Sequence, residues 1–427
     1  MKKLLCLGLN VFVMALALTS CGENSQNGID SGFKPRLDTS ASCKIRVVGE
    51  WTNFDALVAE FHRFRYFYPH VSFSYEKVED YNNKIAAKLD GTNKPNIYFT
   101  YSSMTGNSKY DPVFAHAEDL SSIPLDFDCI RESLLHKEDD GSIFMVPIFA
   151  RTYGMLVNKD LFEKEELEIP TTHEEFVSAC QAFLDKGYPS PLMGYTQGSS
   201  SCLMNTVAYP LFVANLAAHP SIIPAANVPD SSAGEYTREA LEAVHQIFDR
   251  GYANLEACQA ISNNYDQVIF RFFEGDVPMM VCAADTASGT TSRESQSEPF
   301  SANPFSYCYA PIPASDEGCY FIDSPSIEFS VNKDAENLDM ANEFMRFLIN
   351  DKELNEMSAV KGLVTPAKVV SFDSLYALFA DVPAERTIAP EVLGIQDPIS
   401  KQIREASYKV GKGDLSVDAA VAKYGTF

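Results

Sequence analysis

The sequence predicts an α/β protein built as two packed units. Three observations predict it. Strand-like and helix-like stretches alternate from residue 44 to residue 100, which is the pattern of a parallel sheet. An apolar run that begins at Phe144 carries one charge, Arg151, and leads straight into the helices of a new unit. The chain has 427 residues, 46% hydrophobic and 22% charged, ample for two packed lobes rather than one core.

Taken in order, Lys2 and Lys3 precede an apolar stretch from Leu4 to Leu18, shorter than a membrane span and shaped like a secretory signal. It ends in Leu18-Thr19-Ser20-Cys21, so residues 1–20 read as a signal peptide. Residues 21–43 are polar and rich in Ser, Asn and Gly, a flexible tether with a reach of about 25 Å. The formal charge of -24 becomes two units more negative when Lys2 and Lys3 leave. Such a surface repels nucleic acid and anionic headgroups. No second apolar stretch approaches the length of a span, so a soluble body is expected.

Lys44 to Gly49 is a first strand, and Glu50-Trp51-Thr52-Asn53 is the loop at its end. A helix with Leu57, Val58, Phe61, Phe64 and Phe67 inward closes at Pro69. Val71 to Tyr75 alternates like a strand, Tyr81 to Leu89 is a helix stopped by Gly91, and Asn96 to Thr100 is a further strand. In a parallel sheet of this kind ligands are expected beyond the strand ends. Phe144 to Val157 is the buried strand with Arg151, whose charge requires a partner. Thr172 and Glu175 form a capping box, and Phe176, Val177, Cys180, Phe183 and Leu184 then recur at helical spacing up to Gly187.

Helices are also expected around Leu203 to Ala214 and over Thr237 to Asp249. Phe270 to Val281 runs from helix into a strand that ends at Ala283-Ala284-Asp285. Thr286 to Asn303 returns the chain toward the first unit, Tyr307 to Pro313 and Tyr320 to Asn332 are strands around a turn, and Met340 to Ile349 is a helix. The last helices lie around Ile399 to Tyr408 and Ser416 to Tyr424.

These features resemble the extracellular solute-binding proteins of ABC importers, in particular the sugar-binding family related to maltose-binding protein. The resemblance is carried by the crossing strand with Pro170-Thr171-Thr172 and Glu174-Glu175-Phe176, by Tyr68-Pro69, by the aromatic, Gly-acid and Met run from Phe270 to Val281, by Pro311-Ile312-Pro313, by Asn332-Lys333 and by Lys361 to Pro366. Pro95-Asn96 departs from the family's Pro-Asp pair. The resemblance implies the type II periplasmic-binding-protein fold, two α/β lobes joined by crossing segments with a ligand cleft between them. Residues 44–150 and 305–356 would make the first lobe, and 151–304 and 357–427 the second. The chain would be a monomeric lipoprotein, anchored outside the cytoplasm to the bilayer through acylated Cys21, that hands a solute to ABC permease subunits. An ordinary signal peptide with a stray cysteine is the alternative at Cys21.

No catalytic motif is legible. Gly198 to Cys202 lacks the second glycine of a nucleophile elbow. The histidines show no His-x-x-x-His spacing and the cysteines no Cys-x-x-Cys, so neither a metal nor a cofactor is expected. The cysteines read as buried small hydrophobes, with Cys308 and Cys319 the favoured pair if any disulfide forms. A sugar site needs hydroxyl-binding groups beside aromatic rings. The candidates at strand ends are Glu50, Trp51 and Thr52; Thr100 and Tyr101; Phe149, Arg151 and Tyr153; Asp285; and Asp323. Trp51 and Tyr101 are each a stacking platform or a partly buried anchor. Arg151 either binds ligand or forms an ion pair at the lobe junction, with Asp285 or Asp323 as its partner, and it keeps acidic sugars open. Other solutes (polyamine, iron, peptide) and a surface glycoside hydrolase are the remaining readings.

Overall fold

Residues 32–427, apart from Pro229, Ala314 and Ser371, are described by a computed structural model, so the signal stretch and Cys21 lie outside the described residues. The tether is shorter than expected. Lys34 to Leu37 already lie on the protein: the Arg36 and Leu37 amides donate to the Tyr68 hydroxyl, and Arg346 donates to the Lys34 carbonyl at 2.7 Å.

The first sheet is built by β1 (Cys43–Gly49), β2 (Val71–Lys77), β3 (Ile97–Thr100) and β4 (Val146–Arg151), and β5 (Tyr153–Asn158) opens the second, which β6 (Leu192–Gly194), β7 (Met279–Ala283) and β8 (Tyr307–Pro311) complete. β9 (Phe321–Ile322) pairs with the late β11 (Thr387–Ile388), and β10 (Ser324–Val331) returns to the first sheet. The first sheet has the order β2-β1-β3-β10-β4, with β1 parallel to β2 and β3 and β10 antiparallel to β3 and β4. The second has the order β6-β7-β5-β8. β3 reads as an unbroken run because a central strand is covered on both faces, and β4, although last in the sheet order, is buried along all but its final residue.

The crossing strand is thus two strands separated by Thr152 alone, one in each sheet. Periodicity reads the run as one strand because extended backbone continues through the change of partner. The chain crosses again between β8 and β10. It crosses a third time after the helix Asp351–Lys361, where Val364 bridges Ala150 and the following Tyr376 and Phe379 pack on Tyr309 of β8 at 5.5 and 5.7 Å. This moves one expected boundary. β8 pairs with β5, so Tyr307–Pro311 stand in the second sheet, and Thr286 to Asn303, which forms short helices, does not bring the chain back to the first.

The helices form where their apolar spacing places them. Phe61 and Phe64 on the helix Asp55–Phe64 meet Phe73 and Phe344, with ring centroids 4.5 to 5.7 Å apart. Phe64 and Phe344 are fully buried, and each such ring contributes about 1.5–3 kcal/mol. The capping box at Thr172 and Glu175 is formed, and the helix it opens buries Phe176, Ala179, Cys180 and Phe183. The helix Leu203–Ala218 is almost wholly buried, against the helices Arg238–Asp249 and Asp397–Gly411. No single described helix is long and apolar enough to cross a membrane. The eight described cysteines are free thiols. Cys308 is buried on β8 while the Cys319 thiol donates to the Thr171 carbonyl, which separates the pair favoured for a disulfide.

Gly154, second in β5, is required for close approach: a Cβ there would lie 2.4 Å from the Ala310 carbonyl oxygen and 2.8 Å from the Tyr309 ring. Its absence of a side chain lets β5 sit tightly against β8 immediately after the crossing.

Candidate functional site

The strand ends converge. β1, β3 and β7 deliver Glu50, Tyr101 and Asp285 just past their C-terminal ends, and β4 and β5 place Arg151 and Tyr153 on either side of the crossing. The Tyr101 hydroxyl donates to the Glu50 carboxylate at 2.7 Å, tying the two loops of the first sheet together. Burial and then the Glu50 charge push the Tyr101 phenol well above its ordinary pKa, so it remains a neutral donor, and the Asp285 carboxylate adds to that shift from the second sheet.

Arg151 is exposed to solvent, yet Tyr153, Glu391, Asp285 and Tyr209 crowd around it. Burial disfavours its charge, but the fields of those four groups prevail and its pKa is raised. No carboxylate among the described residues lies within ion-pairing distance of it. Asp285 has the same character: it is exposed, burial raises its pKa, and the Arg151 charge opposes that rise. Tyr153 stands against Tyr209 with ring centroids 5.0 Å apart.

Trp51 is half-buried. Its ring stacks on Phe149 at 5.5 Å, meets Phe54 edge-on at 5.0 Å and has the Lys361 ammonium 5.1 Å from its centroid. It is therefore anchored by the core and capped by a cation. Phe149 is fully buried and supports Trp51 from below. Thr52 is exposed beside it.

Besides Phe149, which lies beneath Trp51, two expected residues are drawn away. Thr100 is fully buried, its hydroxyl 3.0 Å from that of Ser330. Asp323 is fully buried too, and both its oxygens accept from Arg131, at 2.7 and 2.8 Å, with Ser133 donating at 3.1 Å. It partners Arg131, not Arg151, and its full burial keeps it from a ligand in solvent. Among the described residues no three His, Cys, Asp or Glu side chains gather at metal-ligand spacing.

Sequence reasoning missed Glu328, Ser102, Glu391, Tyr209 and Lys361. Glu328 lies on β10 between Ile327 and Phe329 and is fully buried; Ser102 donates to one of its oxygens at 2.8 Å, and the other has no partner. Burial pushes its carboxyl up to about 8, with Glu391 adding to the rise and Arg151 opposing it. A lone charge in an apolar strand is the same signal that singled out Arg151. Glu391, half-buried after β11, also has a carboxylate oxygen without a partner.

Two sheets joined by three crossings, with polar and aromatic side chains gathered where the strands end, define a protein that holds a small solute between two lobes. A family of that class matches in sequence: the model for bacterial extracellular solute-binding proteins covers residues 58–379, and the chain belongs to this family. These are binding proteins rather than enzymes, so the hydrolase reading falls. Solved structures show the same fold. The chain is similar to apo RafE from Streptococcus pneumoniae, with a TM-score of 0.69 at 15% identity over 91% of this chain and 97% of that one. It is similar to the sugar-binding protein MalE from Xanthomonas citri, with a TM-score of 0.66 at 17% identity over 90% and 95%. A sugar transporter from Bacillus licheniformis in complex with stachyose gives a TM-score of 0.61 at 16% identity over 90% and 98%. No curated protein matches the chain. The architecture is the type II periplasmic-binding-protein fold.

Proposed function

We propose that this chain is the substrate-binding lipoprotein of an ABC importer, which captures a sugar or oligosaccharide by lobe closure and delivers it to a membrane permease. The observation that carries the reading is the solvent-accessible Arg151, unpaired, beside Asp285, Tyr153 and Tyr101 where the two sheets meet. Hydroxyl-binding groups and aromatic rings stand there together, as recognition of a sugar requires. Similar structures include sugar-binding proteins, which favours the same class of solute.

The first lobe is assigned to the first sheet and the second lobe to the second, with the returning segment beginning after β8. Ligand between them makes contacts with both lobes only in the closed form and shifts the population toward closure. Acylated Cys21 anchors the protein to the bilayer, and the polar stretch after it, ending where Lys34 docks, is the tether. Labelling with a radioactive fatty acid that is lost in Cys21→Ser tests the anchor.

A thermal-shift screen over monosaccharides, oligosaccharides, acidic sugars and polyamines tests the solute. A true ligand at about 100 times its Kd adds about 2.7 kcal/mol to stability. Stabilisation by polyamines with no response to any carbohydrate would replace this reading.

A further inference from the structure

The arm that precedes β1 is held where no strand or helix requires it. Lys34, Pro35 and Arg36 are exposed, yet their main chain is pinned to the first lobe. The Tyr68 hydroxyl accepts from the Arg36 and Leu37 amides, both at 3.1 Å, and donates to the Glu343 carboxylate at 2.6 Å. A hydroxyl that accepts twice and donates once has spent its whole capacity. Glu343 also accepts from the Arg36 amide at 2.8 Å, and the Arg346 guanidinium joins Glu343 to the Lys34 carbonyl. The Arg36 side chain adds one exposed bond, to the Pro124 carbonyl at 3.3 Å.

This is a built site rather than a chance contact. Tyr68 is fully buried and Glu343 is 5% exposed, so lifting the arm away leaves acceptors unfilled where water hardly reaches, which opposes release. Burial works against the Glu343 charge, but Arg346, the Tyr68 hydroxyl and the Arg36 amide together hold its pKa below the ordinary value. The arm thus supplies one of the donors that keep a buried carboxylate ionised. Because its contacts are with main chain, the clamp reads the path of the arm more than its side chains.

The clamp's place decides what it does. Cys43, where β1 starts, pairs with Val71, and the Val71 amide donates to the Tyr68 carbonyl, so the arm docks at the start of β1 and β2. Glu50 and Trp51 stand at the other end of the seven-residue β1, about 23 Å away. Tyr68 precedes β2, and Glu343 and Arg346 lie on the helix Leu338–Leu348, whose Phe344 packs on Phe64. All the arm's partners therefore belong to the first lobe, clear of the candidate solute site. From Cys21 to Phe33 thirteen residues remain free of the clamp, a span of at most about 45 Å, against about 75 Å if the free chain ran on to Cys43.

We propose that Tyr68, Glu343 and Arg346 form a clamp for the chain's own N-terminal arm, which fixes the exit of the lipid tether to the first lobe and holds that lobe nearer the bilayer than the second. This rests on the lipid-anchor reading above and says where the anchor pulls. Closure then carries the second lobe toward a first lobe whose distance from the bilayer is already limited.

Hydrogen exchange of the full-length lipoprotein in detergent micelles tests the clamp. The Arg36 and Leu37 amides exchange at least tenfold more slowly than in a free peptide of the same sequence. Tyr68→Phe keeps the ring stacked on Phe64, at 4.9 Å, and removes only the hydroxyl; exchange at both amides rises at least tenfold. Arg36→Ala keeps both amides and leaves exchange slow. The second measurement uses phosphatidylcholine–phosphatidylglycerol vesicles that carry an acceptor-labelled lipid. A donor dye at the exposed Tyr66 of the first lobe transfers energy more efficiently than one at the exposed Val228 of the second, and Arg36→Pro with Leu37→Pro, which removes both amide donors, at least halves the difference. Unprotected amides in an acylated parent, or equal transfer from the two positions, overturn the clamp and leave the anchor standing. A Cys21 that carries no fatty acid overturns both.

Discussion

Arg131 and Arg151 are the same residue type, each near aspartate and each close to a crossing of the chain, and they do opposite things. Arg131 meets Asp323 through two hydrogen bonds and donates a third to the Ala367 carbonyl at 2.9 Å, so both oxygens of the carboxylate and all three guanidinium nitrogens are engaged within the protein. Arg151 has carboxyls around it but none in contact, and water reaches it. The difference teaches that an arginine and an acid do not by themselves make a binding site. What marks one is donor and acceptor capacity left over after folding.

The largest effect should come from breaking the closed pair. Asp323→Ala leaves Arg131 without its partner in a site from which water is largely excluded, and should lower the unfolding free energy by about 3–5 kcal/mol. Chemical denaturation measures it. A loss under about 1 kcal/mol would mean that the pair is no more structural than Arg151.

The second effect is on the open side and appears in pH. The carboxyl of Glu328 is raised from its ordinary value to about 8 by burial, with Glu391 adding to the rise and Ser102 and Arg151 opposing it. A carboxyl with a raised native pKa binds a proton more tightly folded than unfolded. It costs nothing at pH 4, and it destabilises progressively as pH climbs from about 4.5 to about 8, where the cost levels off at a few kcal/mol. Glu60 has a carboxyl raised to about 8 as well, so the whole protein should lose stability over that window from more than one source. The informative quantity is a difference: Glu328→Gln should gain on the parent steadily from pH 5 to pH 8 in melting temperature. Parallel profiles would show that Glu328 does not titrate in this window.

Why one arginine was legible and the other not is a matter of distance along the chain. Arg151 announces itself as a charge inside an apolar run. Arg131 sits in irregular structure, and its partner is 192 positions away, so nothing local shows that Asp323 is already taken. The fold was legible where periodicity and caps act locally: β1 to β3, the Thr172 capping box and the helix it opens. Sheet membership was not, because β5 and β8 look like any apolar strand until their hydrogen-bond partners are known. In the candidate site, Glu50, Trp51, Tyr101, Arg151, Tyr153 and Asp285 lie at or next to strand ends, which sequence marks. Glu391 was missed because it belongs to a stretch without period, and Glu328 because a charge on β10 was passed over.

A third change works on Arg151 itself. Arg151→Met removes a guanidinium with no ion-pair partner to abandon, so folding stability should stay within about 1 kcal/mol. Ligand affinity should fall about 10–100-fold, the loss expected for a charged hydrogen-bonding group. Denaturation and titration of one preparation give both numbers. The opposite outcome, a large stability loss with unchanged affinity, would make Arg151 a second Arg131.

The smallest effect separates the two roles of Trp51. Its ring lies on Phe149 and under Lys361, and the ammonium, its pKa lowered chiefly by burial, contributes about 0.5–1 kcal/mol through the ring face. Lys361→Met should therefore cost no more than about 1 kcal/mol of stability while baring that face. If the ring is a platform from which Lys361 must withdraw, ligand binds somewhat tighter to the variant, because the competing cation is gone. If the ring is only an anchor, affinity stays where it was and Trp51→Phe leaves it there as well. Tryptophan fluorescence during titration reports on the same choice, since Trp51 is the chain's one tryptophan and its emission shifts only if the ring's surroundings change when ligand binds.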